Sequence, residues 1–174
     1  MYLKNHNKLL NLYQGANGVK TGFTKKCGRC LVSSAQRNGV SLIAVTLKAP
    51  DDWNDHIKML DYGFSVLENK CVLKGKEAVS EAYVKNGEKN SVDALAKQDI
   101  NIPVLTDDII ETKVNLKAEI TAPVKKDEVI GYAEILLNKE KICEVELIAS
   151  ESIEMLYIPT FFDNFKMILE SIFN

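Results

Sequence analysis

The first fifty residues of this 174-residue chain contain no aspartate and no glutamate. They carry eight lysine and arginine residues, whereas the rest of the chain carries a formal charge of −10. A basic segment of this kind fits anionic ligands, or it has lost acidic neighbours that another part of a protein supplies. Aromatic residues are thin among these basic residues, which argues against nucleic-acid binding.

Histidine and cysteine are scarce, with two and four residues respectively. Cys27 and Cys30 form one Cys-x-x-Cys pair, but a closed zinc site needs four ligands. The two histidines, His6 and His56, stand at no useful spacing for such a site. A redox pair should begin a helix, whereas Cys30 opens an apolar run typical of a strand. We therefore expect packing cysteines, no disulfide framework, no metal and no cofactor.

Long apolar runs are also missing. No stretch reaches the length that a bilayer-spanning helix requires. Residues 1–20 contain scattered lysine and asparagine and no apolar core, so no signal peptide is visible and the chain as printed has no evident export route. Hydrophobic residues make up 46% and charged residues 26% of the chain, which is typical of a folded protein and argues against disorder.

The first part of the chain has the pattern of an antiparallel meander followed by a helix. Three β-rich runs predict strands over 19–24, 29–36 and 40–47, and the Asn38-Gly39 pair between the last two predicts a hairpin turn. Aspartates at 51 and 52 can cap a helix over 51–66. Its apolar stripe comprises Trp53, Ile57, Leu60 and Phe64, widened by Met59. Three strands and one helix are too small for a closed core, so this part should complete something larger.

The second part has shorter strand-like runs separated by turn residues. Strands are predicted over 78–84, 91–96, 102–105, 112–118, 129–137 and 142–148. This spacing is typical of a small all-β sandwich or barrel. Residues 159–173 then predict an amphipathic helix, which could lie on a membrane or dock on its own domain.

The most informative motif is Lys20-Thr21-Gly22, at the start of the first predicted strand. It resembles the Lys-Thr-Gly box of serine enzymes that recognise penicillin. The likeness to D-alanyl-D-alanine carboxypeptidases, the low-molecular-mass penicillin-binding proteins, continues beyond the box. It runs through 5–10, 18–24, 28–32, 42–45, 49–50 and 60–64, then through 116–118, 124–126 and 129–131, and it includes the terminal amphipathic helix.

The resemblance implies a substrate and a role for each residue of the box. The family removes the terminal D-Ala from peptidoglycan stem peptides that end in D-Ala-D-Ala, so its site holds a free carboxylate beside the scissile amide. Lys20 would supply a cation and Thr21 a hydroxyl donor. Gly22 would let an extended peptide approach the strand edge closely. The backbone N–H of Phe23 would be one of two oxyanion donors.

The catalytic nucleophile that the resemblance implies is missing. The family carries it in a Ser-x-x-Lys box on a helix, and a Ser-x-Asn box also faces the cleft. Both boxes precede the Lys-Thr-Gly strand, yet neither occurs before Lys20, and no Ser-x-x-Lys follows it. Ser33 and Ser34 lie in a predicted strand with no base at helical spacing. We therefore expect no catalytic residue in this chain and no acyl-enzyme from this chain alone.

Two features depart from the family pattern. Some relatives have an arginine near the start of the helix after the third strand, where this chain has Asp51-Asp52-Trp53. The terminal helix is less basic than a typical membrane anchor.

Thr24 and Arg29 are further polar candidates for the site, because they lie near the Lys-Thr-Gly box.

Together these patterns predict an α+β chain in three parts. Residues 1–66 would be the last strands and helix of a penicillin-binding catalytic domain, 67–155 an all-β accessory domain, and 156–174 the amphipathic helix. The resemblance implies an enzyme at the outer face of the cytoplasmic membrane. It would acylate a serine, hydrolyse the ester, bind β-lactams and contact the membrane through 159–173.

Two alternatives stay open. One is a non-catalytic scaffold module at the cell wall or membrane, in which the Lys-Thr-Gly strand is structural. The other is a split enzyme, in which a second chain supplies the nucleophile helix and the basic segment completes its sheet.

Overall fold

The structure, a computed structural model, describes residues 5–157, and the predicted C-terminal helix over 159–173 lies outside this range. The described chain is mostly β-sheet with two helices. The helices are α1 (Leu9–Leu12) and α2 (Asp52–Val66). The strands are β1 (Ala16–Thr24), β2 (Gly28–Arg37), β3 (Val40–Leu47), β4 (Glu68–Leu73), β5 (Ala78–Tyr83), β6 (Ser91–Ala96), β7 (Ile100–Val104), β8 (Ile110–Leu116), β9 (Val129–Leu137) and β10 (Glu140–Ala149).

The described residues divide into two compact units. The first unit contains residues 5–72 together with 100–109, and the second contains 73–99 and 110–157. Strand β7 therefore belongs with the first unit, where it pairs with β4 in a two-stranded sheet.

The first unit is built on the antiparallel meander that the sequence predicts, with strand order β1-β2-β3. Asn38 and Gly39 both have positive φ, at 49° and 81°, as a two-residue hairpin turn between β2 and β3 requires. Helix α2 covers one face of this sheet and packs on β2 and β3. Gly63 allows a close approach, because a Cβ at this position would lie 2.6 Å from a methyl carbon of Leu42.

The core of the first unit lies between this sheet face and the two helices. It consists of Leu9, Tyr13, Ala35, Ala44 and Leu60. The predicted apolar stripe of α2 is confirmed, since the other stripe residues pack against this cluster. Met59 does not widen the stripe, because its side chain is 40% exposed, and the buried His56 takes that place.

The second unit has one antiparallel five-stranded sheet in the order β5-β6-β10-β9-β8, and its described residues form no helix. Asn138 and Lys139, with φ of 51° and 72°, make the two-residue turn between β9 and β10. The largest fully buried apolar side chains of this unit are Val84, Ile130, Ile135, Leu147 and Ile153. This unit therefore has a substantial core of its own.

The structure differs from the sequence predictions in three further details. Strand β4 was not predicted, because its sequence Glu-Asn-Lys-Cys-Val-Leu begins with polar residues and lacks regular alternation. Helix α1 was not predicted either, since it is only four residues long. The expectation of packing cysteines is wrong for Cys27 and Cys71, which are exposed because they lie in the β1–β2 turn and on the small β4–β7 sheet.

Candidate functional site

The Lys20-Thr21-Gly22 motif lies in the second half of β1, which is the edge strand of its sheet. Strand β1 pairs with β2 from Ala16 to Thr24, and no other strand of the described chain pairs with its outer edge. An edge strand offers its free backbone groups to an extended peptide. The position of the motif is therefore one where a peptide can bind by strand addition.

Strand alternation places Lys20 and Thr21 on opposite faces of the sheet. Lys20 pairs with Val32, and Thr21 pairs with Leu31, which is buried under α2. Thr21 therefore lies on the face that carries α2, and Lys20 on the opposite face. The Lys20 ammonium donates a hydrogen bond of 2.8 Å to the carbonyl oxygen of Thr21.

Nothing in the described chain requires a glycine at position 22. Its backbone does not have the positive φ that favours glycine, and a Cβ there would make ordinary contacts of 3.7 Å with Cys30. Gly15 differs, because it has a φ of 85° and a Cβ there would lie 2.4 Å from the Gln36 carbonyl oxygen. The bare backbone at Gly22 is thus available for approach from outside the chain.

An open cavity of about 420 Å³ lies beside this half of β1, within the first unit. Its lining comprises His6, Lys8, Thr21, Gly22, Phe23, Arg29, Asp52 and Trp53. The side chain of Phe23 is 70% exposed at its mouth. Three of the four predicted site residues therefore line one cavity, and Lys20 does not.

The charged side of the cavity is an ion pair between Arg29 on β2 and Asp52 at the start of α2. Nε and Nη2 of Arg29 donate hydrogen bonds of 3.0 and 2.6 Å to Oδ1 of Asp52. The Asp52 side chain is 4% exposed and that of Arg29 is 42% exposed. The hydrogen bond to Asp52 raises the pKa of Arg29 above its ordinary value. The guanidinium also stands 5.5 Å from the ring centre of Trp53.

Asp51 and Asp52 have different hydrogen-bond partners at the start of α2. Asp51 occupies the N-cap position, but its carboxylate accepts hydrogen bonds from the Asn54 side chain and caps no backbone N–H. Asp52 accepts from the Trp53 backbone N–H as well as from Arg29. The sequence identified both as capping candidates and gave no sign of the ion pair, because Arg29 lies 23 residues earlier in the chain.

A buried histidine joins the sheet to α2 behind the cavity. Nδ1 of His56 lies 2.5 Å from Oγ of Ser33, and its Nε2 lies 2.9 Å from Oγ1 of Thr46. Burial lowers the pKa of His56, and this outweighs the opposite effect of Asp52 and Asp55. Ser33 and His56 are both fully buried, so this serine–histidine contact is closed to a substrate and is structural.

A second polar group holds the start of β1. The Tyr13 hydroxyl donates a hydrogen bond of 2.7 Å to Oδ1 of Asp61 on α2. Burial, helped by this bond, raises the pKa of Tyr13 to about 12. The Arg37 guanidinium stands 4.2 Å from the Tyr13 ring centre and 3.6 Å from the Asp61 carboxylate. These contacts fix the loop that leads into the motif strand.

Of the two further polar candidates, Arg29 lines the cavity and Thr24 does not. Oγ1 of Thr24 accepts a hydrogen bond of 2.9 Å from the Cys27 backbone N–H, which closes the β1–β2 turn.

Within residues 5–157, no group of three or more His, Cys, Asp or Glu side chains is placed to hold a metal ion. In the same part of the chain, no helix is both long and apolar enough to cross a membrane.

The sheet face opposite α2 is apolar and uncovered by any described part of the first unit. We call it the outer face. Its apolar residues are Cys30, Val32, Ile43, Val45 and Leu47, and Ser34 lies beside Ile43 on the same face. Ile43, Val45 and Leu47 are 73%, 55% and 77% exposed. By register Gly22 and Lys20 lie on this face beside Cys30 and Val32. Contiguous exposed apolar residues of this kind mark an interaction surface.

Two protein families match the chain in successive segments. The family described as D-alanyl-D-alanine carboxypeptidase matches residues 1–51. The family described as penicillin-binding protein 5, C-terminal domain, matches residues 67–155, which is half of the chain.

Individual relatives agree with these families. The D-alanyl-D-alanine carboxypeptidase DacF of Bacillus subtilis is 30% identical over 166 residues, covering 92% of this chain and 43% of that protein. The carboxypeptidase DacC of Escherichia coli is 31% identical over 159 residues, covering 86% of this chain and 39% of that protein. The crystal structure of penicillin-binding protein 5 from Haemophilus influenzae superposes with a TM-score of 0.59 at 28% identity, over 84% of this chain and 45% of that one.

The chain thus spans less than half the length of these relatives. The two family matches include the motif strand and most of the second unit, and α2 lies between them. The chain belongs to the D-alanyl-D-alanine carboxypeptidases, a family of serine hydrolases, and its residues 67–155 belong to the domain family described as penicillin-binding protein 5, C-terminal domain.

Proposed function

We propose that this chain provides the substrate-binding strand and the accessory β domain of a serine D-alanyl-D-alanine carboxypeptidase. The substrate is a peptidoglycan stem peptide that ends in D-Ala-D-Ala, and β-lactams bind in its place. The peptide lies along the free edge of β1, where Gly22 leaves its backbone open. The domain organisation is that of 1–66, 67–155 and 156–174, which the extents of the two family matches support.

The observation that carries this proposal is the position of the Lys-Thr-Gly motif on an unpaired edge strand beside an open cavity. Thr21 presents a hydroxyl to the substrate carboxylate, and the Phe23 backbone N–H donates to the carbonyl oxygen as its negative charge develops. Lys20 lies on the outer face of the sheet, where it meets the part of the enzyme that carries the nucleophile.

This chain contains no Ser-x-x-Lys box, so the nucleophile comes from outside these 174 residues. The serine attacks the carbonyl carbon of the penultimate residue and releases D-Ala, and water then hydrolyses the ester. The outer face supports the view that another part of the enzyme carries the nucleophile. Its exposed Ile43, Val45 and Leu47 need a covering layer, and the missing part of the catalytic domain provides one.

The proposed place of action is the cell envelope, at the outer face of the cytoplasmic membrane, where peptidoglycan is accessible. Contact with the membrane surface is assigned to residues 159–173, whose apolar side chains recur at helical spacing in the sequence. No metal or other cofactor takes part in the proposed chemistry.

The test combines a mass with an activity label. Membranes of the source cell are labelled with fluorescent penicillin, the protein is captured with an antibody against residues 67–155, and the size of the band is read. A fluorescent band well above 19.5 kDa is expected, because the nucleophile must lie in additional chain. An unlabelled band near 19.5 kDa, with no labelled protein captured beside it, would overturn the carboxypeptidase proposal.

The outer face also favours a second candidate, the split enzyme, in which a separate polypeptide covers Ile43, Val45 and Leu47. The same capture distinguishes the two. A labelled protein that co-purifies with a 19.5 kDa band through non-covalent contacts identifies the split enzyme. A single labelled band that survives denaturing electrophoresis identifies one continuous enzyme.

A further inference from the structure

The second unit contains a cavity of its own, at the seam between the two edges of its sheet. Strands β5 and β8 are these edges, and they approach each other without pairing. Just beyond them the edges are joined. The Lys85 N–H donates a hydrogen bond of 2.8 Å to the Ile120 carbonyl oxygen, and the Ala122 N–H donates one of 2.9 Å to the Lys85 carbonyl oxygen. The cavity beside this junction has a volume of about 310 Å³, and we call it the seam cavity.

The walls of the seam cavity combine an aromatic ring with charged groups. They comprise Ala82, Tyr83, Lys85, Leu116, Lys117, Ala118, Glu119 and Ile120. Tyr83, the last residue of β5, is 70% exposed. A tyrosine ring at a cavity wall gives a ligand a large flat apolar surface to cover.

The charged groups of the seam cavity keep donors and acceptors for a ligand. The Lys85 ammonium donates a hydrogen bond of 3.0 Å to Oε1 of Glu119. An ammonium has three donors and a carboxylate has two oxygens, so this one bond leaves capacity on both. The hydrogen bond from Lys85 lowers the pKa of Glu119, which keeps the carboxylate ionised and able to accept. Lys117 is exposed and adds a second ammonium.

This combination of groups matches the chemistry of a sugar ring. A pyranose has a face of C–H groups, which can stack on an aromatic ring, and an edge of hydroxyls, which need both donors and acceptors. An extended peptide fits the seam less well. A strand added between β5 and β8 needs about 9.6 Å, twice the spacing of paired strands, whereas Cα atoms of the two strands approach within 8 Å. Glu119 also opposes a small anion, because its charge offsets that of Lys85.

We propose that the seam cavity is a saccharide-binding site for the glycan strands of peptidoglycan. Tyr83 stacks on a sugar ring, and the Lys85–Glu119 pair binds its hydroxyl or acetamide groups. The inference rests on the proposed function for the identity of the polymer, because the stem peptides are branches of this glycan. A chain that holds the glycan through its second unit keeps the stem peptides at a high local concentration for the strand β1 of the same chain.

The experiment uses a neutral probe, a β-1,4-linked tetrasaccharide of N-acetylglucosamine, which has sugar rings and acetamide groups but no peptide and no charge. Binding to the 174-residue chain is followed by NMR through the backbone amides of Tyr83, Lys85, Lys117 and Glu119. A dissociation constant of about 1 mM is expected for one stacked ring and a few hydrogen bonds in an open site. It should change by less than about twofold between about 0.05 and 0.5 M salt, because the probe is neutral.

The variants separate the ring from the ion pair. Tyr83→Ala should weaken binding about tenfold, whereas Tyr83→Phe keeps the ring and should weaken it by less than about threefold. Lys85→Ala with Glu119→Ala leaves the net charge unchanged and should weaken binding about fivefold. Tyr132→Ala is the matched control, because it removes an exposed tyrosine of the same sheet that does not line the seam cavity, and it should leave the affinity unchanged.

Several results would overturn the inference. The probe would leave the amides of the seam cavity unshifted, Tyr83→Ala would bind as the unmodified chain does, or Tyr132→Ala would lose as much affinity as Tyr83→Ala. A sugar-free stem peptide that shifts the same amides would identify a peptide site instead. The penicillin label tests the proposed function separately. A labelled enzyme whose chain binds no saccharide loses only this inference, and saccharide binding without any label leaves the sugar site and removes the carboxypeptidase.

Discussion

The two units bury their β-sheets to very different extents. In the second unit, strand β9 places Ile130, Ala133 and Ile135 in a fully buried core. In the first unit, strand β3 leaves Ile43, Val45 and Leu47 more than half exposed, although its sequence is equally apolar. Apolar alternation predicts a strand in both cases, but it does not say how many faces of the sheet are covered.

The charges differ in the same way. Five lysines of the second unit form ion pairs with glutamates of that unit: Lys74, Lys85, Lys89, Lys97 and Lys141. In the first unit, Lys8, Lys25, Lys26 and Lys48 form no ion pair within the described chain, whereas Arg29 and Arg37 pair with Asp52 and Asp61 of α2. The first unit thus combines an exposed apolar face with lysines that form no ion pair in the described chain, whereas the ion pairs of the second unit join its own residues.

The largest expected effect is on stability, and it tests the comparison with the same kind of substitution made in each unit. Ile135→Ala opens a cavity in the core of the second unit and should cost about 3 kcal/mol of unfolding free energy. Ile43→Ala is the matched control, because it removes the same atoms from a side chain that is 73% exposed. It should change stability by less than about 0.5 kcal/mol. Urea unfolding with hydrogen exchange resolved by residue measures both. If both variants lost the same unfolding free energy, the conclusion that the outer face adds little stability to this chain would be wrong.

A smaller effect is expected at the ion pair that anchors the cavity. Asp52→Ala leaves Arg29 without its partner and removes two charge-assisted hydrogen bonds, so it should destabilise the first unit by about 2 kcal/mol. Arg29 is partly exposed, and water will recover some of the loss. Asp51→Ala changes the neighbouring exposed aspartate and should cost less than about 0.5 kcal/mol. The unfolding midpoints of the two variants are compared, and a larger loss in Asp51→Ala would show that capping outweighs the ion pair.

The smallest effect concerns pH and again separates the units. Burial holds the pKa of His56 below its ordinary value of 6.5. Between the folded pKa and 6.5, the unfolded chain therefore binds a proton that the folded first unit does not. The stability that depends on neutral His56 is fully present above about pH 6.5 and is lost as the pH falls towards the folded pKa. The second unit has no histidine.

Urea midpoints of the first unit at about pH 7.5 and about pH 5.5 check this linkage. The midpoint should be lower at the acid pH in the unmodified chain, and His56→Gln should reduce that difference. His6→Gln also removes one histidine without touching the buried contacts to Ser33 and Thr46, and should keep the difference. An unchanged pH dependence in His56→Gln would rule out His56 as its source.

Much of the local structure could be predicted from sequence. Strands β6 and β9 were predicted with the observed bounds, and the Asn38-Gly39 turn was predicted because only small or amide residues accept positive φ readily. Strand β4 could not be found in this way. Its polar first half carries no alternation, and it forms because β7, far along the chain, pairs with it.

The candidate site was predicted only in part. The Lys-Thr-Gly motif was recognised from adjacent residues, and its place on a strand followed from local pattern. The Arg29–Asp52 pair joins residues 23 apart, and the contact of His56 with Ser33 spans the same separation. The periodic pattern of apolar residues does not predict such contacts, because they depend on the register of β1 with β2 and on how α2 lies across the sheet.

The sequence by itself determined most of the strands, the α2 stripe, the family resemblance and the absence of a Ser-x-x-Lys box, since each of these depends on residues that are close together in the chain. Only the tertiary structure decided which cation stands beside Thr21 and which apolar strand remains uncovered. Strand alternation sends Lys20 and Thr21 to opposite faces, and helix packing brings Asp52 to Arg29. Contacts between distant residues arise from the packing of whole elements, and that packing places the side chains around the cavity.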